Sequence, residues 1–194
     1  MLICHDIIKL IYFKEEKMKK LLLIFLSVVI GLFVFACATT DTAKFEGSSY
    51  KSTKTDFGDY KSWKAISDEP QAGDMTGALG MAHQGEKGWR MVYVNKIANK
   101  SMKSGKYPFA VGSIIVKESY PDADGAPGDL AALTIMVKRG SGYDSEDGNW
   151  EYLMTMPNFM VAEMEGMKVQ GKVGMCIGCH SAADHDYVFS EIGM

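Results

Sequence analysis

The 194-residue chain is poor in cysteine and has no surplus of positive charge, and each shortage excludes a class of protein. Its four cysteines are Cys4, Cys37, Cys176 and Cys179, so a second closely spaced pair that would complete a structural zinc site is missing. Lysine and arginine number 21 against 24 acidic residues, which gives a net charge of −3. Nucleic-acid-binding domains use a basic patch, so this balance argues against a nucleic-acid partner.

Residues 1–37 predict an export signal rather than part of the fold. Two lysines precede the apolar stretch 21–36, which ends at Cys37. The sequence from Val34 to Cys37 resembles a bacterial lipoprotein signal, in which Cys37 carries the lipid and becomes the mature N-terminus. An uncleaved anchor is the alternative, although the apolar stretch is shorter than the ~20 residues of a membrane span. Both alternatives place the domain outside the cytoplasm. Ala38 slightly favours the outer membrane, with the domain lipid-anchored on the periplasmic side.

The rest of the chain divides into a tether and one domain. Residues 38–58 are rich in Thr, Ser, Lys, Asp and Gly and predict a flexible tether. Residues 59–194 are long enough for one domain with one core. Asp59 is a candidate N-cap for a first helix that continues to about Ile66.

Short β-rich segments separated by turn residues dominate the predicted domain. Strands are predicted at Trp89–Val94, Ser113–Ser119, Leu130–Lys138 and Trp150–Met156. Helices are predicted at Lys96–Ser104, between Asn95 and Gly105, and around residues 176–189. This order of elements predicts an α+β fold, a mostly antiparallel β-sheet with flanking helices and a C-terminal haem-binding helix.

The motif that carries most chemical information is Cys176-Ile177-Gly178-Cys179-His180. A Cys-x-x-Cys-His sequence is typical of covalent attachment of haem c. Two thiols three positions apart can each bond one vinyl group of the porphyrin, and the adjacent histidine can ligate the iron. A redox-active or zinc-binding Cys-x-x-Cys that happens to precede a histidine is the alternative.

Several segments together resemble the cytochrome P-460 family, which includes cytochrome c′-beta. The matching segments are Gly88–Asn95, Ser113–Glu118, Met136–Gly140 with Gly142–Asp144, Gly148–Tyr152, and Cys176–His180 with Asp186–Phe189. The resemblance implies one covalent haem c per chain, bound through Cys176, Cys179 and His180, with His180 as the metal ligand. It also implies a mostly antiparallel fold and a possible homodimer.

The resemblance also assigns roles to residues outside the motif. Lys117 matches a lysine that is covalently joined to the porphyrin in hydroxylamine-oxidising members, so Lys117 is both a candidate catalytic residue and a haem-binding one. The alternative is a solvent-facing strand lysine, because alternation puts Lys117 on the more polar face of its strand. Arg90 matches an arginine near the haem and is a candidate catalytic residue, with a surface strand residue as the alternative.

The distal side of the haem is where the chain departs from the hydroxylamine oxidisers. Thr134 is nearest to the position of their distal carboxylate, and threonine is not a base at neutral pH. Glu118, Asp129 or another acid would have to substitute for that carboxylate. Phe109 and Phe159 are candidates to cap the iron in the c′-beta manner, and either is equally suited to the core.

Three hypotheses for function follow from these patterns. The first is an extracytoplasmic mono-haem oxidoreductase acting on hydroxylamine or related nitrogen oxides at an open iron site, which passes electrons to an unidentified partner. The second is a nitric oxide or gas-binding haem protein of the c′-beta type, a sensor or scavenger without turnover. The third, a simple electron carrier, needs a second strong axial ligand, for which the sequence offers no convincing candidate.

Overall fold

The computed structural model describes residues 42–74 and 85–189. The strands are β1 (Lys64–Ala65), β2 (Gln71–Asp74), β3 (Gly85–Val94), β4 (Ile114–Tyr120), β5 (Asp122–Ala123), β6 (Ala126–Pro127), β7 (Ala132–Lys138), β8 (Trp150–Thr155), β9 (Glu163–Met164), β10 (Met167–Lys168) and β11 (Gln170–Gly171). A seven-stranded antiparallel sheet forms the centre, with strand order β1-β3-β4-β7-β8-β11 and β2 also paired with β3. The predicted α+β class is confirmed. The helices are α1 (42–46), α2 (Lys54–Phe57), α3 (Lys96–Ser104) and α4 (Gly174–His180).

Helix α3 shows how closely local signals set the element boundaries. The Asn95 side chain accepts a hydrogen bond from the Ala98 amide at 2.9 Å, which caps the first turn. Gly105 adopts a left-handed conformation (φ 59°) that ends the helix. The predicted limits of this helix are confirmed.

Side chains alternate along the strands, so the sheet has two distinct faces. We call one the α4 face; it is formed by Arg90, Val92, Val94, Ile115, Lys117, Ser119, Thr134, Met136, Lys138, Trp150, Tyr152 and Met154. The other is the N-terminal face, formed by Tyr93, Ile114, Val116, Glu118, Leu133, Ile135, Val137, Glu151, Leu153 and Thr155. Helix α4 packs on the first face, with Cys176 and Ile177 against the core that contains Met136 and Tyr152.

The N-terminal face is covered by residues that precede the sheet. Phe45, Phe57 and Tyr60 are buried there, and Phe159 packs against them. Phe45 and Phe57 belong to the predicted tether 38–58, so in the structure the ordered domain begins before Asp59. Both phenylalanines of this polar segment are buried, although its average composition is that of a flexible tether.

Two predicted helices differ from the observed elements. The helix predicted from Asp59 is a short 3-10 turn, Tyr60–Ser62, after which the chain is extended and β1 pairs with β3. The helix predicted over 176–189 ends at His180. Asp186 and Tyr187 have left-handed backbones (φ 50° and 68°), which a continuing helix does not allow.

Among the described residues, no helix is both long enough and apolar enough to cross a membrane. The predicted signal 1–37, including Cys4 and Cys37, lies outside the described residues.

Candidate functional site

Helix α4 places the two motif cysteines side by side. They lie three positions apart, which is just under one helical turn, so their side chains leave neighbouring positions on the helix. Cys176 is half-buried against the α4 face, Cys179 is exposed, and neither forms a disulfide. The helix therefore presents two reduced thiols along one edge.

The electrostatics of Cys176 do not suit a dithiol redox centre. Burial and the neighbouring Cys179 raise the pKa of the Cys176 thiol to about 11, although the Lys117 ammonium lowers it. Reactive redox cysteines have lowered pKa values that favour the thiolate. Cys176 instead stays a neutral thiol at physiological pH, which counts against the redox alternative for this motif.

His180 is held in one orientation by the chain that follows it. Its Nδ1 lies 2.7 Å from the carbonyl oxygen of Tyr187. A carbonyl accepts only, so Nδ1 is the protonated nitrogen and Nε2 carries the lone pair that a metal would bind. The ring lies between the rings of Tyr152 and Phe189, with centroids 5.4 and 5.5 Å away.

The turn that offers the Tyr187 carbonyl is itself fixed by the sheet. The Asp186 carboxylate accepts from Lys138 Nζ at 2.7 and 2.6 Å and from the Phe109 amide at 2.7 Å. Trp150 donates its indole N–H to the Asp186 carbonyl at 2.7 Å. The Tyr187 ring lies against Gly148, where an added Cβ would come within 2.6 Å of it.

Lys117 lies on the α4 face, on the side of the sheet where helix α4 carries the motif. It pairs with Val92 and Thr134 on the neighbouring strands, and it is half-buried. Its ammonium is close enough to Cys176 to act on the pKa of that thiol. The polar character of this face therefore does not mark a solvent-facing surface.

Neither acid suggested as a substitute for the distal carboxylate is one of the residues that form the α4 face. Glu118 is 1% exposed and points into the N-terminal face, where it accepts from Tyr60 and Tyr120, each at 2.5 Å. Asp129 is exposed in the loop before β7. Thr134 lies on the α4 face, directly beside Lys117.

Arg90 lies at one end of the α4 face. Its Nη1 donates to the carbonyl oxygens of Ala72, at 3.2 Å, and of Gly73. These bonds direct the guanidinium towards β2, the neighbouring strand.

The two phenylalanines suggested as caps lie on opposite sides of the sheet. Phe109 is buried against Trp150 in the core beneath helix α4. Phe159 packs against Phe57 and Tyr60 on the N-terminal face, so it does not share a side with His180.

His185 stacks on a tyrosine ring, with centroids 4.7 Å apart and planes within 6°. The other loop histidine of the sequence, at position 83, lies outside the described residues.

Sequence reasoning missed three side chains of this site. Lys138 and Trp150 support the turn, and the buried hydroxyl of Tyr152 has no hydrogen-bond partner among the described residues. Burial raises the pKa of that hydroxyl, and the nearby Cys176 raises it further. No local pattern identifies these residues, because each acts through a contact between distant segments.

These side chains together fit a covalently bound haem. Two reduced thiols and an oriented imidazole on one helix are the donors that haem c requires. The buried hydroxyl of Tyr152 on the same face is a polar atom left for a bound group to satisfy. Cys176 and Cys179 would hold the porphyrin and His180 the iron.

The fold and this donor set define a haem-binding protein built on an antiparallel sheet, with one attachment motif and so one haem c per chain. A family model described as Cytochrome P460 matches residues 58–190, which is more than half of the chain. The chain belongs to the cytochrome P460 family. No curated protein gives a significant match to it.

Proposed function

We propose that this protein is an extracytoplasmic haem oxidoreductase that acts on hydroxylamine or a related nitrogen oxide. The observation that carries the proposal is the place of Lys117, half-buried on the α4 face and close enough to Cys176 to lower its pKa. This is the position expected of the lysine that is joined to the porphyrin in the hydroxylamine-oxidising members of the family. When bound, the haem supplies an iron that binds the nitrogen ligand and accepts its electrons.

The chain's own residues supply the orientation of the ligand histidine and the side chains around Lys117. The Tyr187 carbonyl fixes the tautomer of His180 and orients its ring. Val92, Thr134 and Met154 form one row with Lys117 across the sheet. The two residues directly beside Lys117 in this row, Val92 and Thr134, carry no charge.

Nitric oxide or gas binding without turnover is the second candidate function. Two observations favour it: Thr134 lies beside Lys117 where the hydroxylamine oxidisers have an acid, and Glu118 is committed to the opposite face. A ligand that needs no proton acceptor would bind to such a site without being consumed.

One experiment separates the two functions. Matured haem protein is assayed for oxidation of hydroxylamine with an artificial electron acceptor, and its haem peptides are weighed after proteolysis. Oxidation well above a haem-only control, together with a haem peptide that contains Lys117, supports the oxidoreductase. Tight nitric oxide binding to the ferrous protein, with an unmodified Lys117 peptide and no turnover, supports the gas-binding protein instead.

The Lys117→Met variant tests the residue directly. We expect turnover to fall at least about tenfold, which corresponds to about 1.4 kcal/mol of activation free energy. Lys100→Met, which changes an exposed lysine of α3, is the matched control and should leave turnover unchanged. Equal activity of both variants would contradict the role of Lys117.

We also propose that Cys37 anchors the protein by a lipid on the periplasmic side of a bacterial membrane, the outer membrane being slightly favoured. The support is the sequence of the export signal, with its lysines, apolar stretch and Cys37. Electrons would pass to a separate carrier, and a homodimer is the assembly that the family implies. Release of the Cys37→Ser variant into the soluble periplasmic fraction, with the native protein in a membrane fraction, would support the anchor.

A further inference from the structure

The turn at Asp186 and Tyr187 is closed by backbone hydrogen bonds between His185 and Val188, at 3.2 and 2.9 Å, but its two central residues are not ones that adopt such a turn easily. Both residues have left-handed backbones, and residues other than glycine seldom adopt this conformation twice in succession. Such a conformation persists only where its surroundings impose it. The contacts that impose it therefore also decide where the Tyr187 carbonyl lies.

Besides the Phe109 amide, which donates to the Asp186 carboxylate, two buried side chains of the sheet contact this turn. Lys138 is 5% exposed on β7, and its ammonium bonds the Asp186 carboxylate at 2.6 Å and the Gly148 carbonyl at 2.7 Å. Trp150 is fully buried on β8, and its indole N–H bonds the Asp186 carbonyl at 2.7 Å. One contact holds the side chain of Asp186 and the other its backbone, immediately before the peptide that carries the Tyr187 carbonyl.

We propose that Lys138 and Trp150 are positioning residues for His180: they hold the Tyr187 carbonyl against Nδ1 and so strengthen the imidazole as an electron donor to the iron. The inference rests on the part of the proposed function that makes His180 the iron ligand. A hydrogen bond that pulls on the Nδ1 proton makes the other nitrogen more basic. A more basic ligand stabilises ferric over ferrous iron and so lowers the reduction potential.

The neighbouring ion pair between Arg139 and Glu151 is a control for a purely structural role. Arg139 follows Lys138 in the chain, points to the N-terminal face and pairs with the buried Glu151. Glu151 in turn follows Trp150. Changes at these neighbours affect the same two strands at similar burial, but they do not touch the turn at Asp186.

Three variants of the full chain, each loaded with haem, test the proposal. Trp150→Phe keeps an aromatic ring and removes the indole N–H, Lys138→Met removes the ammonium, and Glu151→Gln is the matched control. The measurements are the reduction potential of the haem, the Fe–His stretching frequency of the ferrous protein and the melting temperature.

We expect Trp150→Phe and Lys138→Met to raise the potential and lower the Fe–His frequency, and Glu151→Gln to lower the melting temperature while moving neither. Lys138→Arg, which keeps the charge, should restore part of the shift. If Lys138→Met does not fold, Trp150→Phe decides alone. A folded Trp150→Phe protein with the native potential and frequency would overturn the proposal. Because neither readout needs turnover, a protein that fails to oxidise hydroxylamine but shows these shifts would contradict only the proposed function.

Discussion

The two faces of one sheet treat their buried charges in opposite ways. On the N-terminal face, Glu118 accepts from two tyrosines, and Glu151 accepts from Ser52, Gln170 and Arg139. On the α4 face, Lys117 is only half-buried, and it lies close enough to Cys176 to lower the pKa of that thiol. The buried acids of the first face therefore stabilise the fold, whereas this lysine of the second face lies at the candidate haem site.

Adjacent residues show the same division at closer range. Lys138 and Arg139 are both almost fully buried and both pair with an acid, one on each face. Arg139 ties residues 45–50 to the sheet by donating to the carbonyls of Phe45, Gly47 and Tyr50. Lys138 bonds to Asp186 in the turn whose Tyr187 carbonyl orients His180. The same kind of interaction thus serves stability on one side and the site on the other.

The largest effect should come from removing the thiols on the α4 face. We expect the double variant Cys176→Ala with Cys179→Ala to lose all covalently bound haem, because no other cysteine of the described residues can form the thioether bonds that would hold the porphyrin beside Lys117. Haem staining after denaturing electrophoresis measures this directly. Cys37→Ser, which changes only the predicted lipid site, is the control and should keep its haem. Covalent haem in the double variant would show that another residue attaches it.

The next effect should come from breaking the ion pair on the N-terminal face. Arg139→Met leaves the Glu151 carboxylate buried without its partner, together with three backbone carbonyls. We expect the free energy of unfolding to fall by about 3–5 kcal/mol. Urea unfolding of the haem-loaded protein measures this loss.

The matched control for that variant is Lys172→Met. Lys172 is 53% exposed and pairs with Asp144 at 3.1 Å, so its loss should cost under about 1 kcal/mol. The spectrum of the haem should be unchanged in both variants, because neither residue lies on the α4 face. A spectral change in Arg139→Met larger than in Lys172→Met would mean that the two faces are coupled.

The parts of the fold that sequence predicts are those set by local chemistry. The cap and stop residues of α3 and the β-branched strands β4 and β7 need only a few neighbouring residues to specify them. The attachment motif is also local. The burial of Phe45 and Phe57, the early end of α4 and the support of His180 each depend on residues far apart in the chain. Lys138 and Asp186 are 48 positions apart, and no spacing rule connects them.

The smallest effect concerns pH and the outer edge of the N-terminal face. Burial raises the pKa of Asp56, but hydrogen bonds from Lys44, the Thr53 amide and Tyr50 outweigh it and hold that pKa below its ordinary value. A lowered pKa in the folded state means that the charged carboxylate stabilises the protein at any pH above the unfolded-state pKa of about 3.9. That contribution is lost as the pH falls from about 4 through the lower folded-state pKa.

Asp56→Asn isolates this contribution, because the amide still accepts hydrogen bonds but does not titrate. We expect the native protein to be more stable than the variant at pH 6, and the difference to shrink steadily below about pH 4. Lys44 is 38% exposed, so salt should also reduce the difference at pH 6. Unfolding by urea from pH 3 to 7 measures it. A difference that stays constant through pH 3 would mean that Asp56 stabilises the fold as a hydrogen-bond acceptor and not through its charge. The outer edge of the N-terminal face would then be held by hydrogen-bond geometry, as its buried centre is.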